Sequence, residues 1–260
     1  MSSTLAHDVT GSGGPLLVLV HGITEDRRSW DPLLPALAGW GTVLRVDLRG
    51  HGGSAPAGPD GDYLPGTLAA DVRAVVEQVA APGQPTVLIG HSLGGVVVTA
   101  YGATYPVSAV VNVDQPLALG ALQAQVLELE PLLRSEAFDA VIGQMFQQMY
   151  GALDPAETAR LDGIRRPSQQ VVLGVWSIML DQSPDELAAT VAATAAVPAD
   201  VPYIAVQGIP TGPDYPGWLR ERLPQLRFED WGEVGHYPHL HEPERFLALV
   251  DEVLAEVARG

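Results

Sequence analysis

The chain contains no cysteine, which excludes disulfides, thiol nucleophiles, zinc–thiolate sites and iron–sulfur clusters. Positive charge is scarce: 14 basic residues stand against 31 acidic ones, for a formal net charge of −17. Nucleic-acid binding needs clustered Lys and Arg to displace counterions, and anionic membrane surfaces attract the same side chains. Neither partner is expected, and the plain meaning of the charge is solubility. No apolar run approaches bilayer-spanning length. The opening residues, Met1 to Asp8, have neither a basic segment nor an apolar core, so no signal peptide is expected and a cytoplasmic location is the default. Internal repeats and low-complexity tracts are absent, although 117–200 is rich in Ala and Gln. What is left is ordinary: 260 residues, 47% hydrophobic, enough for one large core or a core with an insertion.

The chain is organised around Gly90-His91-Ser92-Leu93-Gly94, which follows the apolar run Thr86–Ile89 and precedes Gly95–Tyr101. That order reads strand, abrupt turn, helix. A serine at the apex of so tight a turn is forced into strained backbone angles, and its neighbours two positions away must lack a Cβ. The strain lifts the hydroxyl off the sheet and aims the Leu93 amide, at a helix N-terminus, at any negative charge forming beside it. In a chain with 28 glycines a bare Gly-x-Ser-x-Gly is weak evidence. Framed by strand and helix, it points to a nucleophile elbow.

Around this turn the periodicity alternates. Strands are expected over Leu5–Thr10, Leu16–Val20, Thr42–Asp47, 86–90 and Ala109–Val113, with helices over Trp30–Ala38 (capped by Ser29 or Asp31), Thr67–Ala81 and 93–105. Alternation of this kind means an α/β fold with a mostly parallel sheet covered by helices on both faces. Ligands bind at the carboxyl ends of such strands, where His21, Asp47, Ser92 and Asp114 fall. After Asp114 the pattern turns helical, over roughly 118–130, 135–150, 155–162, 168–181 and 184–196, punctuated by Pro131, Pro155, Pro167 and Pro184. Strands resume at Tyr203–Gln207 and Arg227–Trp231, with a helix near Pro216–Leu223 between them and a last helix over Pro243–Arg259. The expected organisation is a core of 1–116 and 197–260 with a helical lid, 117–196, inserted in it.

A serine hydroxyl needs a base, and histidine has the fitting pKa. Of seven histidines, His21 is read as bracing the loop after its strand. His91 adjoins the serine but points elsewhere, His51 lies in a glycine turn and His7 near an end. His236, after Gly235 and beyond the last strand, is the best base. His239 and His241 are read as surface groups. With Glu242 they could suggest a metal, but nothing else completes a ligand set, so no metal or other cofactor is expected.

Taken together, His21-Gly22-Ile23, the Asp47–Ser54 turn, the Gly90–Gly94 elbow and Gly235-His236-Tyr237-Pro238-His239-Leu240 resemble an α/β-hydrolase fold enzyme, in family order and over essentially the whole chain outside the lid. The resemblance implies a second oxyanion-hole amide at Ile23 beside Leu93, and a structural role for Arg49 and His51. It also implies an acid partner for His236. The usual position, shortly after Tyr203–Gln207, holds Thr211; Asp214 comes three residues later in a Pro/Gly loop. The preferred acid is Asp114, in Val111-Asn112-Val113-Asp114-Gln115-Pro116. An aspartate ending a buried strand costs desolvation energy unless partnered, and a histidine N–H is the obvious partner. In this placement, and in lacking the later acid, the chain is similar to the zearalenone-type lactonases; haloalkane dehalogenases carry a glutamate there.

The chemistry implied is attack by Ser92 on an ester or lactone carbonyl, with His236 as base and Asp114 fixing its tautomer. The candidate apolar lining is Leu129, Leu133, Met145, Phe146, Met149, Trp176 and Met179, with Trp176 the first choice for ligand contact, since the lactonases also use a lid tryptophan. The lid offers few cations besides Arg134, Arg160, Arg165 and Arg166, so a neutral, largely apolar small molecule is the expected partner. The rival readings are a carbon–carbon bond hydrolase or cofactor-free perhydrolase on the same fold, and a non-enzymatic ligand receptor. A monomer and a homodimer both fit the acidic surface.

Overall fold

A computed structural model describes residues 5–58 and 61–259. Among them, strands β1 (His7–Thr10), β2 (Leu16–Val20), β3 (Thr42–Val46), β4 (Thr86–His91), β5 (Ala109–Val113), β6 (Tyr203–Gln207) and β7 (Leu226–Asp230) form one sheet in the order β1-β3-β2-β4-β5-β6-β7. Every pairing is parallel except that of β1 with β3 at the edge. Helices α1 (Leu34–Ala38), α2 (Pro65–Val79) and α3 (Leu93–Thr104) accompany the first half. Between β5 and β6 the chain makes α4 (Gly120–Leu133), α5 (Phe138–Met149), α6 (Pro155–Ile164), α7 (Gln169–Val175), α8 (Ser177–Leu180) and α9 (Pro184–Thr194). It ends with α10 (Tyr215–Arg220), α11 (Pro238–His241) and α12 (Pro243–Val257). None of the described helices is long and apolar enough to cross a membrane.

The strand sequences explain the layering. Side chains alternate across a strand, so a strand buried on both faces is a nearly continuous apolar run. Leu16, Val18 and Val20 of β2 pack with Leu68, Val72 and Val75 of α2 and with Val97 and Tyr101 of α3. Leu17 and Leu19 face the other way, onto Trp30, Leu37, Phe246 and Val250. The two layers clamp the central strands, whose carboxyl ends deliver His21, Asp47, Ser92 and Asp114 to one edge of the sheet.

Several boundaries differ from those expected. The first strand starts at His7, two residues after Leu5. The helix expected over Trp30–Ala38 is two pieces: a 3₁₀ turn, Arg27–Trp30, capped by the Asp26 carboxylate, and then α1. Pro35 has no N–H to continue a helix through, but it is accepted in the first turn of a new one. Pro131 does not end α4; it lies inside its last stretch. The helix expected over 168–181 breaks at Trp176, whose ψ of 2° leaves the helical range between α7 and α8. That break turns the indole inward.

Candidate active site

Ser92 sits between β4 and α3 at φ 53°, ψ −121°, one of three non-glycine residues with positive φ among those described. The flanking glycines are compulsory. A Cβ on Gly90 would lie 2.1 Å from the Gly94 carbonyl oxygen, and one on Gly94 would lie 2.2 Å from that of Val20. A third glycine, Gly95, lets Asn112 approach: a Cβ there would meet its Oδ1 at 2.4 Å.

Asp114 also holds a left-handed backbone, φ 51°, directly after β5. Its carboxylate is 1% exposed and fully partnered. Oδ1 accepts the Gly208 amide at 2.6 Å and the Ile209 amide at 3.0 Å, while Oδ2 accepts His236 Nδ1 at 2.6 Å. A carboxylate can only accept here, so a hydrogen sits on Nδ1, and in the neutral imidazole the lone pair is then on Nε2. Asp214, the alternative acid, is exposed at the start of α10 and takes no part in this bond. Ser92 and His236 open on the same cavity without a hydrogen bond between them, a gap that resting enzymes commonly close only when substrate is in place.

The His236 backbone is fixed from two sides. Its N–H donates to Met149 O at 2.9 Å, and its carbonyl accepts His91 Nε2 at 2.7 Å. His91 therefore points away from Ser92, as its place in the turn suggested. The 149–151 stretch reaches His236 because two glycines touch: a Cβ on Gly151 would lie 2.6 Å from Gly235 Cα. His21 braces its own loop, Nδ1 meeting Gly22 O at 2.7 Å and Nε2 accepting the Leu48 amide at 3.0 Å. Arg49 pairs with Asp71, a structural contact.

The Ile23 and Leu93 amides donate to no carbonyl or side chain among the described residues, and both residues line the cavity with Ser92. Leu93 also opens a 12-residue helix, whose dipole adds positive potential at that point. Two unpartnered N–H groups beside a serine make a pocket for an oxyanion.

The cavity has a volume of about 390 Å³. Met145, Phe146, Met149, Trp176 and Met179 all line it. Leu129 and Leu133 do not, and that expectation is corrected: Leu133 is fully buried in the core at the end of α4. The helix presents Ala121, Leu122 and Gln125 instead. Leu133 shares their stripe but lies eight residues beyond Gln125, about 12 Å along the axis. Sequence reasoning also missed Tyr63, Leu119, Ile178, Ile209 and Tyr215 on the wall. None of Arg134, Arg160, Arg165 and Arg166 reaches it.

Two further corrections concern buried polar groups. His239, read as a surface residue, is 1% exposed, with its ring 4.8 Å from those of both Trp30 and His91. The short helix α11, begun by Pro238, turns it inward. Behind the site, Glu25 is buried with Arg165, Tyr237 and His91. Neither Glu25 nor this role for Arg165 was anticipated. A single acid after His-Gly carries no periodic signal, and its cation lies 140 residues away.

These buried groups make stability fall in acid. Burial pushes the pKa of His21 and His239 down, and that of His51 to about 3, so all three fold neutral. Unfolded histidine takes up a proton near pH 6.5, so below that pH the unfolded chain binds more protons than the folded one. Each such histidine then removes about 1.4 kcal/mol per pH unit until its folded-state pKa is reached. Burial raises the Glu25 pKa, but His91, Arg165 and Tyr237 outweigh it and hold the carboxyl well below the ordinary range. Its contribution is present above about pH 4.5 and is lost as pH falls further. Urea midpoints at pH 7.5, 6 and 5 should fall steeply, by more than one histidine explains; a flat profile would contradict the burial.

Comparison with known proteins gives a consistent picture. Residues 17–249 match the profile of a family described as the alpha/beta hydrolase family. Epoxide hydrolase A of Mycobacterium tuberculosis is 30% identical over 174 residues, 61% of this chain and 51% of that protein. The 2-(acetamidomethylene)succinate hydrolase of Mesorhizobium japonicum is 35% identical over 120 residues, 44% of this chain and 42% of its own. The matches thus span about half or less of these relatives' lengths. The enol-lactonase of Burkholderia xenovorans LB400 superposes with a TM-score of 0.67 at 19% identity, covering 96% of each chain, a likeness of fold.

Proposed function

Because the chain belongs to the alpha/beta hydrolase family, we propose that it is a serine hydrolase cleaving a carboxylic ester or lactone of a neutral, largely apolar small molecule. The observation that carries this reading is the meeting of a strained serine, two unpartnered amides and a buried His236–Asp114 pair at one apolar cavity. Ser92 attacks the carbonyl carbon as His236 Nε2 takes its proton, and the Ile23 and Leu93 amides receive the oxyanion. The imidazolium returns the proton to the leaving oxygen. Water, activated by the same base, then frees the acid and restores the serine.

The wall supports an uncharged substrate. Among its described lining residues the only carboxylate, Asp114, is already engaged, and none is an arginine. The epoxide chemistry in some relatives' names does not suit this nucleophile. Opening an epoxide with a serine would leave an alkyl ether, which has no carbonyl for water to attack; a carboxylate nucleophile leaves a hydrolysable ester instead.

A panel of p-nitrophenyl esters of graded acyl length, run beside macrocyclic lactones, tests the assignment. Turnover of neutral acyl groups is expected, with acyl chains ending in a carboxylate at least about tenfold poorer, the scale of one unpaired charge brought into an apolar site. A fluorophosphonate should label the protein at Ser92 within minutes. Absence of both turnover and label would sink the proposal and favour a ligand receptor.

A further inference from the structure

We propose that Arg165 is a positioning residue for the Ile23 amide, holding the oxyanion loop in shape from the helical segment between β5 and β6. The inference rests on the serine-hydrolase reading. It starts from Thr24, a β-branched residue at φ 67°. Such a side chain is a genuine outlier in the left-handed region, and strain of this kind persists only where surrounding contacts enforce it.

The enforcing contacts come from far along the chain. Arg166 N donates to Thr24 O at 2.8 Å. The Arg165 guanidinium donates to Thr24 Oγ1 at 2.6 Å, to Ile23 O at 3.4 Å and to Glu25 Oε1 at 3.3 Å. Three consecutive residues are thus gripped by one side chain and its neighbour. The peptide that follows Ile23 is oriented by this grip, and the Ile23 N–H belongs to the same short loop on the cavity wall.

The same guanidinium reaches Tyr237, the residue that follows His236 in the chain. It donates to Tyr237 Oη at 2.6 Å, and that hydroxyl donates to Glu25 Oε1 at 2.7 Å, one residue from His236. The ring of Phe146, which lines the cavity, covers the guanidinium at 3.6 Å. Arg165 is 8% exposed, so it is not a surface cation that happens to lie nearby. A planar fork of donors can serve four acceptors at fixed angles, and a lysine ammonium cannot.

Arg165→Met should lower kcat on a neutral ester about tenfold to a hundredfold, just short of losing an oxyanion donor outright. KM should stay within about threefold, and Ser92 phosphonylation should slow in parallel with kcat. A second change separates positioning from a merely structural role. Glycine adopts φ 67° without being forced, so Thr24→Gly combined with Arg165→Met should recover part of the lost kcat. Amide exchange over 22–26 should accelerate in Arg165→Met and reports on the grip whether or not the protein is a hydrolase. A raised KM with unchanged kcat, unchanged loop exchange, or a double variant no better than the single would overturn the proposal. If Arg165→Met does not fold, Arg165→Lys takes its place: an intermediate kcat at constant KM is expected, and wild-type kcat overturns the idea. Wild-type protein that neither turns over esters nor labels, while loop exchange still responds to Arg165, would refute the hydrolase reading and leave the grip standing.

Discussion

Ser92→Ala is expected to abolish ester turnover, lowering kcat by about a million-fold to what binding and the oxyanion amides retain alone. The chain has no cysteine, and among the described lining residues the other aliphatic hydroxyl, that of Thr211, lies outside the elbow that strains Ser92 and places it at the start of α3. Loss of function should not mean loss of fold. Alanine suffers at φ 53° as serine does, whereas glycine does not. Ser92→Gly should therefore be as inactive as Ser92→Ala yet more stable by about 1 kcal/mol, the relief of left-handed strain less the entropy glycine gives the unfolded chain. Paired urea curves and ester assays check both halves. An active Ser92→Ala protein would remove the nucleophile from the mechanism; a glycine variant less stable than the alanine one would remove the strain.

Asp114→Asn should lower kcat/KM by about ten-thousandfold near neutral pH, through the wrong tautomer. The geometry dictates which way the new amide faces. Gly208 and Ile209 both donate to one oxygen, so the asparagine must place its own oxygen there and turn its NH₂ toward His236 Nδ1. A donor at that point drives the imidazole hydrogen onto Nε2, the nitrogen that should take the serine's proton. Asp214→Asn, at an exposed position, should stay within about twofold of wild type, the usual fate of a surface change. A dead Asp214 variant beside a healthy Asp114 one would reverse the assignment of the acid.

Much of this site is legible in the chain itself, and for a definite reason. The elbow glycines and the aspartate ending β5 are demanded by backbone sterics and desolvation, which act over a few residues and leave a mark in the sequence. The mostly parallel sheet is legible too, since strands buried on both faces read as nearly continuous apolar runs, interrupted here by Asn112 in β5 and Gln207 in β6. What escapes notice depends on partners distant in sequence. Glu25 and Arg165 look like ordinary loop charges until folding brings them together. His239 reads as polar until α11 turns it between Trp30 and His91. Leu129 and Leu133 share the apolar stripe of α4 with residues on the wall, but periodicity reports a direction around a helix and not a distance along it.

The touching glycines at 151 and 235 bear on protein engineering. Grafting the 117–196 segment from a relative is an obvious route to a new substrate range, on the assumption that such inserts are interchangeable cassettes. Here that segment carries, at Met149–Gly151, backbone that packs against Gly235 and His236. A chimera that keeps those three residues and Arg165-Arg166 while exchanging the rest retains the catalytic frame; one cut cleanly at the segment's ends inherits a new pocket and a displaced histidine together.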